Sequence, residues 1–141
     1  MAGDVVLGFD GSAGAQSALG VAVTLARALG APLAIVFGYE PNPMGGETSD
    51  FQNQLKRLGE GFVHAAATEA RRLDRDVIVE PIVVGRRPVD ALLETATERA
   101  ARLIVVGSMG ELPIVGAILG SVPHKLLHRS RIPVLVVPRP D

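Results

Sequence analysis

The chain has 141 residues, which is enough for one domain with a buried core and too few for two domains of ordinary size. Its 14 basic and 15 acidic side chains leave a net charge of −1, so no basic excess argues for a nucleic-acid partner. The absence of cysteine excludes disulfides, thiolate catalysis and cysteine-bound metals. The sequence has no charged-then-apolar leader and no apolar run near about 18 residues, so we expect a cytoplasmic protein without a membrane partner.

Five short runs of Val, Ile and Leu alternate with helical patterns along the chain. The predicted strands cover residues 5–9, 32–39, 77–84, 103–106 and 134–137. Apolar side chains follow one another directly in these runs, as they do in a sheet that is covered on both faces. The alternation of strands and helices favours right-handed crossovers between parallel strands. The sequence therefore predicts a single doubly wound α/β domain over residues 1–141.

The helices between these strands carry start and stop signals. Apolar residues at helical spacing predict a first helix that ends at Gly30, because glycine suits the left-handed residue at a helix end. Pro88 fits the first turn of the third helix, where its missing N–H leaves no hydrogen bond unmade. The second helix has one apolar face, formed by Phe51, Leu55, Leu58 and Phe62.

A glycine-rich segment follows the fourth predicted strand. It reads Gly-Ser-Met-Gly at residues 107–110, then nine residues, then Gly-Ser-Val at residues 120–122, where a short helix is predicted to begin. Glycines let backbone N–H groups come close to an anion, and the first turn of a helix leaves several N–H groups unpaired. We therefore expect Gly107 and Gly110 to turn the chain and the amides of residues 120–122 to hold phosphate. Ser121 is expected to donate its hydroxyl and to cap the helix.

A plainer interpretation of this segment stays open. Its glycines can be turns alone, and Ser121 can be a helix cap alone. The segment also lacks the lysine of a P-loop. Phosphate binding is therefore indicated, whereas fast phosphoryl transfer is not.

Asp10 follows the first predicted strand, and Gly107 follows the fourth. Ligands of doubly wound folds bind beyond the carboxyl ends of the strands, so the two residues would share a site if these strands are neighbours. The Asp10 carboxylate can accept hydrogen bonds from ribose hydroxyls or hold Mg²⁺. Asp-Gly-Ser equally favours a turn that leads into the first helix, and the two roles are compatible.

These features together resemble the universal stress protein family, in particular its ATP-binding members. The resemblance covers essentially the whole chain and rests on residues 5–12, the Gly-x2-Gly-x9-Gly-Ser spacing and residues 132–138. It implies a flavodoxin-like fold, also described as adenine nucleotide alpha hydrolase-like, with five parallel strands in the order 3-2-1-4-5. It also implies bound ATP with Mg²⁺ and a homodimer formed through the last strand.

The resemblance places the nucleoside at the ends of the first, second and fourth strands and the phosphates at the glycine-rich segment. Asp10 would hold the metal. Gly38 stands where an aliphatic residue is common in the family, so we expect Phe37 or Tyr39 to shape the base pocket. The implied site residues are Gly8, Phe9, Asp10, Gly38, Val106, Gly107, Gly110, Gly120, Ser121 and Val122.

The function indicated by these observations is that of a stress-response protein that binds ATP as a regulatory ligand. The last strand, residues 134–137, has no charge to blunt its edge, which independently favours pairing with a second copy. A slow Mg²⁺-dependent ATP hydrolase is one alternative, although the sequence indicates no catalytic base. A nucleotide-free dimeric interaction module is the other.

Overall fold

A computed structural model describes residues 3–40, 50–109 and 119–140 of the chain. In these residues strands and helices alternate, and no helix among them is long and apolar enough to span a bilayer. The elements are β1 (Val5–Gly8), α1 (Ala13–Leu29), β2 (Leu33–Gly38), α2 (Asp50–Leu73), β3 (Val79–Val84), α3 (Pro88–Glu98), β4 (Leu103–Gly107), α4 (Ser121–Arg129) and β5 (Val134–Val137).

The strands form one parallel sheet in the order β3-β2-β1-β4-β5. This confirms the predicted doubly wound α/β architecture and the order 3-2-1-4-5. Strand β1 lies between β2 and β4, with Val5 opposite Leu33 on one side and Leu103 on the other. The carboxyl ends of β1 and β4 are therefore adjacent, as a shared site for Asp10 and Gly107 requires.

Helices cover both faces of the sheet. In β1, Val5, Val6 and Leu7 are all completely buried, because α1 and α2 cover one face while α3 and α4 cover the other. Consecutive burial of this kind explains why the strands are continuous apolar runs. The core is therefore two apolar layers, one on each side of the sheet.

The predicted helix ends at Gly30 and Pro88 are confirmed, four predicted strand ends differ by one residue from the observed ones, and the predicted start of the third strand is wrong by two. Helix α1 ends at Gly30, whose φ of 62° is left-handed, and Pro88 is the first residue of α3. The third strand does not begin at Val77, because a turn carries the chain from Asp74 to Val77 and the Val77 N–H donates to the Asp74 carbonyl at 3.2 Å. Strand β3 begins two residues later, at Val79.

The apolar face predicted for α2 is only partly covered. Phe51 is 63% exposed and Leu58 is 50% exposed, whereas burial in this helix begins at Gly59. A helix of 24 residues is about 36 Å long, while the six-residue strands β2 and β3 span about 20 Å. The first turns of α2 therefore extend past the carboxyl edge of the sheet, where no strand can cover them.

Candidate functional site

A cavity lies at the carboxyl ends of β1, β2 and β4. Its volume is ≈ 240 Å³, far above the roughly 10–15 Å³ that one water needs. Every site residue expected from the sequence that the structure describes lines this cavity, whereas Gly110 lies outside the described residues. The structure thus brings together residues that are up to 114 positions apart, from Gly8 to Val122 (122 − 8 = 114).

The inner wall of the cavity is apolar. Val36 of β2, Leu92 of α3 and Val106 of β4 line it and are almost completely buried. A Cβ at Gly8 would lie 3.0 Å from Leu92 Cδ1 and 3.1 Å from Val106 Cγ1, so glycine keeps the space between these side chains free. Such a wall can accommodate a flat apolar group such as a nucleic base.

Leu92 was not expected at the site, because its helical spacing in the sequence is that of an ordinary core residue. Pro88, at the start of the same helix, also lines the cavity. Helix α3 connects β3 to β4 and must therefore cross β2 and β1, which lie between them in the sheet. The strand order is the signal that could have placed both residues at the site.

Gly38 lines the cavity but is required as glycine by the packing of α3. A Cβ there would lie 2.8 Å from both the Ala91 Cβ and the Arg86 carbonyl oxygen. Phe37 lines the cavity as well, while the Tyr39 hydroxyl lies 3.2 Å from the place of a Cβ at Gly85, over the end of β3. Of the two aromatic residues expected to shape the pocket, the structure brings Phe37 to it.

The turn after β1 carries the carboxylate of the site. Asp10 Oδ1 accepts a hydrogen bond from the Ser12 N–H at 3.0 Å, and Ser12 Oγ accepts one from the Ala15 N–H at 3.1 Å. Between them, Gly11 has a φ of +82°, which favours glycine. Asp10 thus forms the turn and Ser12 caps α1. Asp10 Oδ2 accepts no hydrogen bond from the described residues, so it can accept one from a ligand.

The start of α4 forms the opposite rim. The Gly120 N–H donates to the Ser108 carbonyl at 2.7 Å, so this amide is already paired within the chain. The amides of Ser121 and Val122 donate to no described residue outside their helix, and the first turn of a helix gives them no partner within it. Both amides are therefore available to an anion as far as the described residues show.

The prediction that Ser121 caps α4 is wrong. The cap position belongs to Gly120, with φ −69° and ψ 170°, and Ser121 is the first helical residue. Pro123 follows in the first turn, where no N–H is needed, and is buried. Ser121 lines the cavity, and its hydroxyl makes no hydrogen bond to a described residue, so it can act toward a ligand.

Gly14 and Gly107 allow the start of α1 to lie directly against the end of β4. A Cβ at Gly107 would lie 2.9 Å from the carbonyl carbon and oxygen of Gly14, and a Cβ at Gly14 would lie 2.8 Å from the Met109 carbonyl oxygen. The start of α1 and the end of β4 thus approach each other main chain to main chain. Backbone contact therefore sets the position of α1 relative to β4 beside the cavity.

Charged groups near the site are mostly paired with each other. Arg87 lies 3.1 Å from Glu40, and Arg86 lies 3.3 Å from Glu94, all on the surface. Within residues 3–40, 50–109 and 119–140, no three His, Asp or Glu side chains converge as a metal-binding cluster. Among the described residues that line the cavity, Asp10 is the acidic one.

Comparison with known proteins gives consistent matches. The model of the universal stress protein family matches residues 1–138. Universal stress protein Rv1636 of Mycobacterium tuberculosis is 34% identical over 139 residues, which covers 94% of each chain. A universal stress protein solved in complex with cAMP is 34% identical, with a TM-score of 0.72 over 99% of this chain and 100% of that one. A universal stress protein from Archaeoglobus fulgidus, 24% identical, shares the fold with a TM-score of 0.78 over 97% of this chain and 99% of that one.

Proposed function

The chain belongs to the universal stress protein family, and we propose that its cavity binds an adenine nucleotide, ATP with Mg²⁺, as a regulatory ligand in a stress response. The observation that carries the proposal is the meeting, in one cavity, of an apolar wall with a carboxylate oxygen and helix amides that have no partner among the described residues. A nucleotide has an aromatic base with apolar ring faces, a hydroxylated sugar and anionic phosphates. A family member that is 34% identical was solved with cAMP, which is also an adenine nucleotide.

Each part of the ligand has a matching part of the cavity. The base would lie against Val36, Leu92 and Val106, where burial of apolar surface stabilises it. The phosphates would accept hydrogen bonds from the amides of Ser121 and Val122, and the positive end of the α4 dipole supports them there.

Asp10 would contribute at the sugar or at the metal. Its Oδ2 can accept a hydrogen bond from a ribose hydroxyl or coordinate Mg²⁺, which commonly takes one or two carboxylates along with phosphate oxygens and waters. Mg²⁺ would neutralise phosphate charge. The hydrogen bond from the Ser12 N–H to Asp10 Oδ1 restrains the orientation of the carboxylate toward either ligand.

We also propose a cytoplasmic homodimer that pairs through β5. This strand lies at an edge of the sheet, and Leu135 is 37% exposed. The carbonyls of Pro133 and Val137 accept hydrogen bonds from the β4 side, at 2.9 and 2.8 Å. Because successive residues of a strand point their backbone groups to opposite sides, the amides of Val134 and Val136 point to the open edge, where a second copy could pair with them.

Calorimetric titration tests the nucleotide proposal. ATP and cAMP are titrated into the purified protein, each with and without Mg²⁺, after mass spectrometry has identified any small molecule that co-purifies. We expect ATP to bind at sub-millimolar concentration, more tightly with Mg²⁺, and Asp10→Ala to remove the Mg²⁺ effect. Binding of cAMP in preference to ATP would contradict the choice of ATP, and no heat with either would support a nucleotide-free module. Phosphate release that disappears in Asp10→Ala would indicate a hydrolase.

A further inference from the structure

Phe62 of α2 lies directly behind the turn that carries Asp10. A Cβ on Gly11 would lie 2.7 Å from Phe62 Cε1 and 2.8 Å from Phe62 Cζ, so the edge of the ring rests on the glycine. The neighbours of Gly11, Asp10 and Ser12, line the cavity, whereas Phe62 is not one of its described lining residues. The turn therefore has the cavity in front of it and an aromatic ring behind it.

The Phe62 ring also packs against a second aromatic ring, that of Phe37. Phe62 and Phe37 pack with ring centroids 5.9 Å apart and planes tilted by 57°. Phe37 lies so close to α2 that a Cβ on Gly59 would overlap its ring. Aromatic pairs at this distance have a preferred mutual orientation, which limits the movement of both rings. Phe62 thus connects two pieces of the cavity wall, the Asp10 turn and Phe37.

We propose that Phe62 is a positioning residue for the ligand, and this inference rests on the nucleotide function proposed above. It holds Gly11 in its left-handed conformation and thereby fixes the direction of the Asp10 carboxylate, without touching the nucleotide itself. A smaller side chain at residue 62 would leave space behind Gly11, and the turn would sample positions in which Asp10 Oδ2 no longer faces the ligand.

The first test needs no ligand. In the free protein, NMR hydrogen exchange of the Ser12 amide reports on its hydrogen bond to Asp10 Oδ1. We expect Phe62→Leu to accelerate this exchange by about tenfold relative to amides in the centre of α1. Leu58→Ala, in the preceding turn of α2 and half-exposed, is the control that should leave the rate unchanged. Unchanged exchange at Ser12 in Phe62→Leu would overturn the inference.

The second test measures affinity for ATP with and without Mg²⁺. Phe62→Leu is expected to weaken binding by about tenfold with Mg²⁺ and clearly less without it, because the displaced group is the Asp10 carboxylate. Equal weakening under both conditions would place Asp10 at the sugar and not at the metal. The inference would be overturned by wild-type affinity in the variant, or by an equal effect of Phe62→Leu in the wild-type and Asp10→Ala backgrounds, because the effect would then not act through Asp10. If Phe62→Leu does not fold, Phe62→Met, which keeps more of the side-chain volume, replaces it. A wild-type protein that binds no nucleotide would instead overturn the proposed function.

Discussion

The amide of Gly120 donates to the carbonyl oxygen of Ser108 at 2.7 Å and so joins the start of α4 to the residue that follows β4. This hydrogen bond brings together the ends of a segment of which residues 110–118 lie outside the described structure. Because of this hydrogen bond, the three amides at this rim have different roles. The Gly120 amide maintains the fold, while the amides of Ser121 and Val122 remain available to an anion.

Substitution of Gly120 separates the role of its amide, which bonds Ser108, from the role of its missing side chain, which leaves room for a phosphate. Its φ of −69° and ψ of 170° suit any residue, so Gly120→Val can keep the hydrogen bond from its amide, although valine is a poorer helix cap than glycine and should slightly lower the free energy of unfolding. The new side chain would occupy the approach to the phosphate position, and we expect ATP affinity to fall by roughly tenfold or more in calorimetry. Gly61→Val, at an exposed glycine with open space around its Cα, is the matched control. Undiminished binding in Gly120→Val would argue against phosphate at this rim.

Two glycines of α2 should respond to alanine in opposite directions. A Cβ at Gly59 would overlap the Phe37 ring, so we expect Gly59→Ala to lower the free energy of unfolding by about 1–3 kcal/mol. A Cβ at Gly61 meets nothing within 4 Å, and alanine there should raise it by about 0.5–1 kcal/mol because it restricts the unfolded chain. Urea denaturation measures both. Equal shifts for the two variants would contradict the packing of Phe37 on α2.

The cap of α1 should contribute measurably to stability. Ser12→Ala removes the hydroxyl that accepts from the Ala15 N–H, and we expect the free energy of unfolding to fall by about 1 kcal/mol. Ser17→Ala, in the middle of the same helix, exchanges the same atoms without removing a cap and should not destabilise the protein. A thermal unfolding series in which the two variants match wild type would show that the cap is dispensable.

The amino-terminal edge of the sheet holds an ion pair that should matter more than the surface pairs. Arg99 donates to Asp4 at 2.9 Å and also pairs with Glu80, and the Asp4 side chain is only 15% exposed. The hydrogen bond to Asp4 raises the pKa of Arg99, so the guanidinium stays charged at any ordinary pH. We expect Arg99→Met to lower the free energy of unfolding by about 1–2 kcal/mol, because it leaves a largely buried carboxylate unpaired.

The control for this pair is Arg72→Met. Arg72 pairs with Glu69 on the exposed surface of α2, where its side chain is 69% exposed. Pairs of this kind contribute about 0–1 kcal/mol, so the variant should unfold close to wild type. A loss in Arg72→Met as large as that in Arg99→Met would contradict the importance of burial.

The proposed dimer predicts a specific sensitivity at β5. Leu135→Lys places a charge on the open edge strand, and we expect it to shift the protein toward monomer in sedimentation velocity. Leu127→Lys makes the same change at an exposed position of α4 and should leave the assembly unchanged. A wild-type protein that sediments as a monomer would refute pairing through β5 outright.

Most of the fold could be predicted from the sequence, because the strands and several helix ends each have a local sequence pattern. Continuous apolar runs indicated a sheet covered on both faces, and Gly30 and Pro88 marked helix ends correctly. The adjacency of β1 and β4 has no local signal, because it depends on the order of strands across the whole sheet. Only the family resemblance supplied it.

The residues of the site were harder to interpret than its location. A glycine required by a ligand and a glycine required by a packed helix look identical in sequence, so the role of Gly38 in seating α3 could not be foreseen. Leu92 was missed because an apolar residue at helical spacing usually belongs to the hydrophobic core, whereas this one also lines the cavity. The hydrogen bond between Gly120 and Ser108 could not be predicted either, because it depends on how two separate segments of the backbone come together in the fold.

The contact between Gly14 and Gly107 has a consequence for how such a protein can evolve. The closest approach of α1 to β4 is made by main-chain atoms, so this contact does not depend on which side chains form the apolar wall of the cavity. Replacements of similar volume at wall positions such as Val36 or Leu92 would change the shape of the wall without altering this contact. Members of one lineage can in this way diverge in what they sense without diverging in shape.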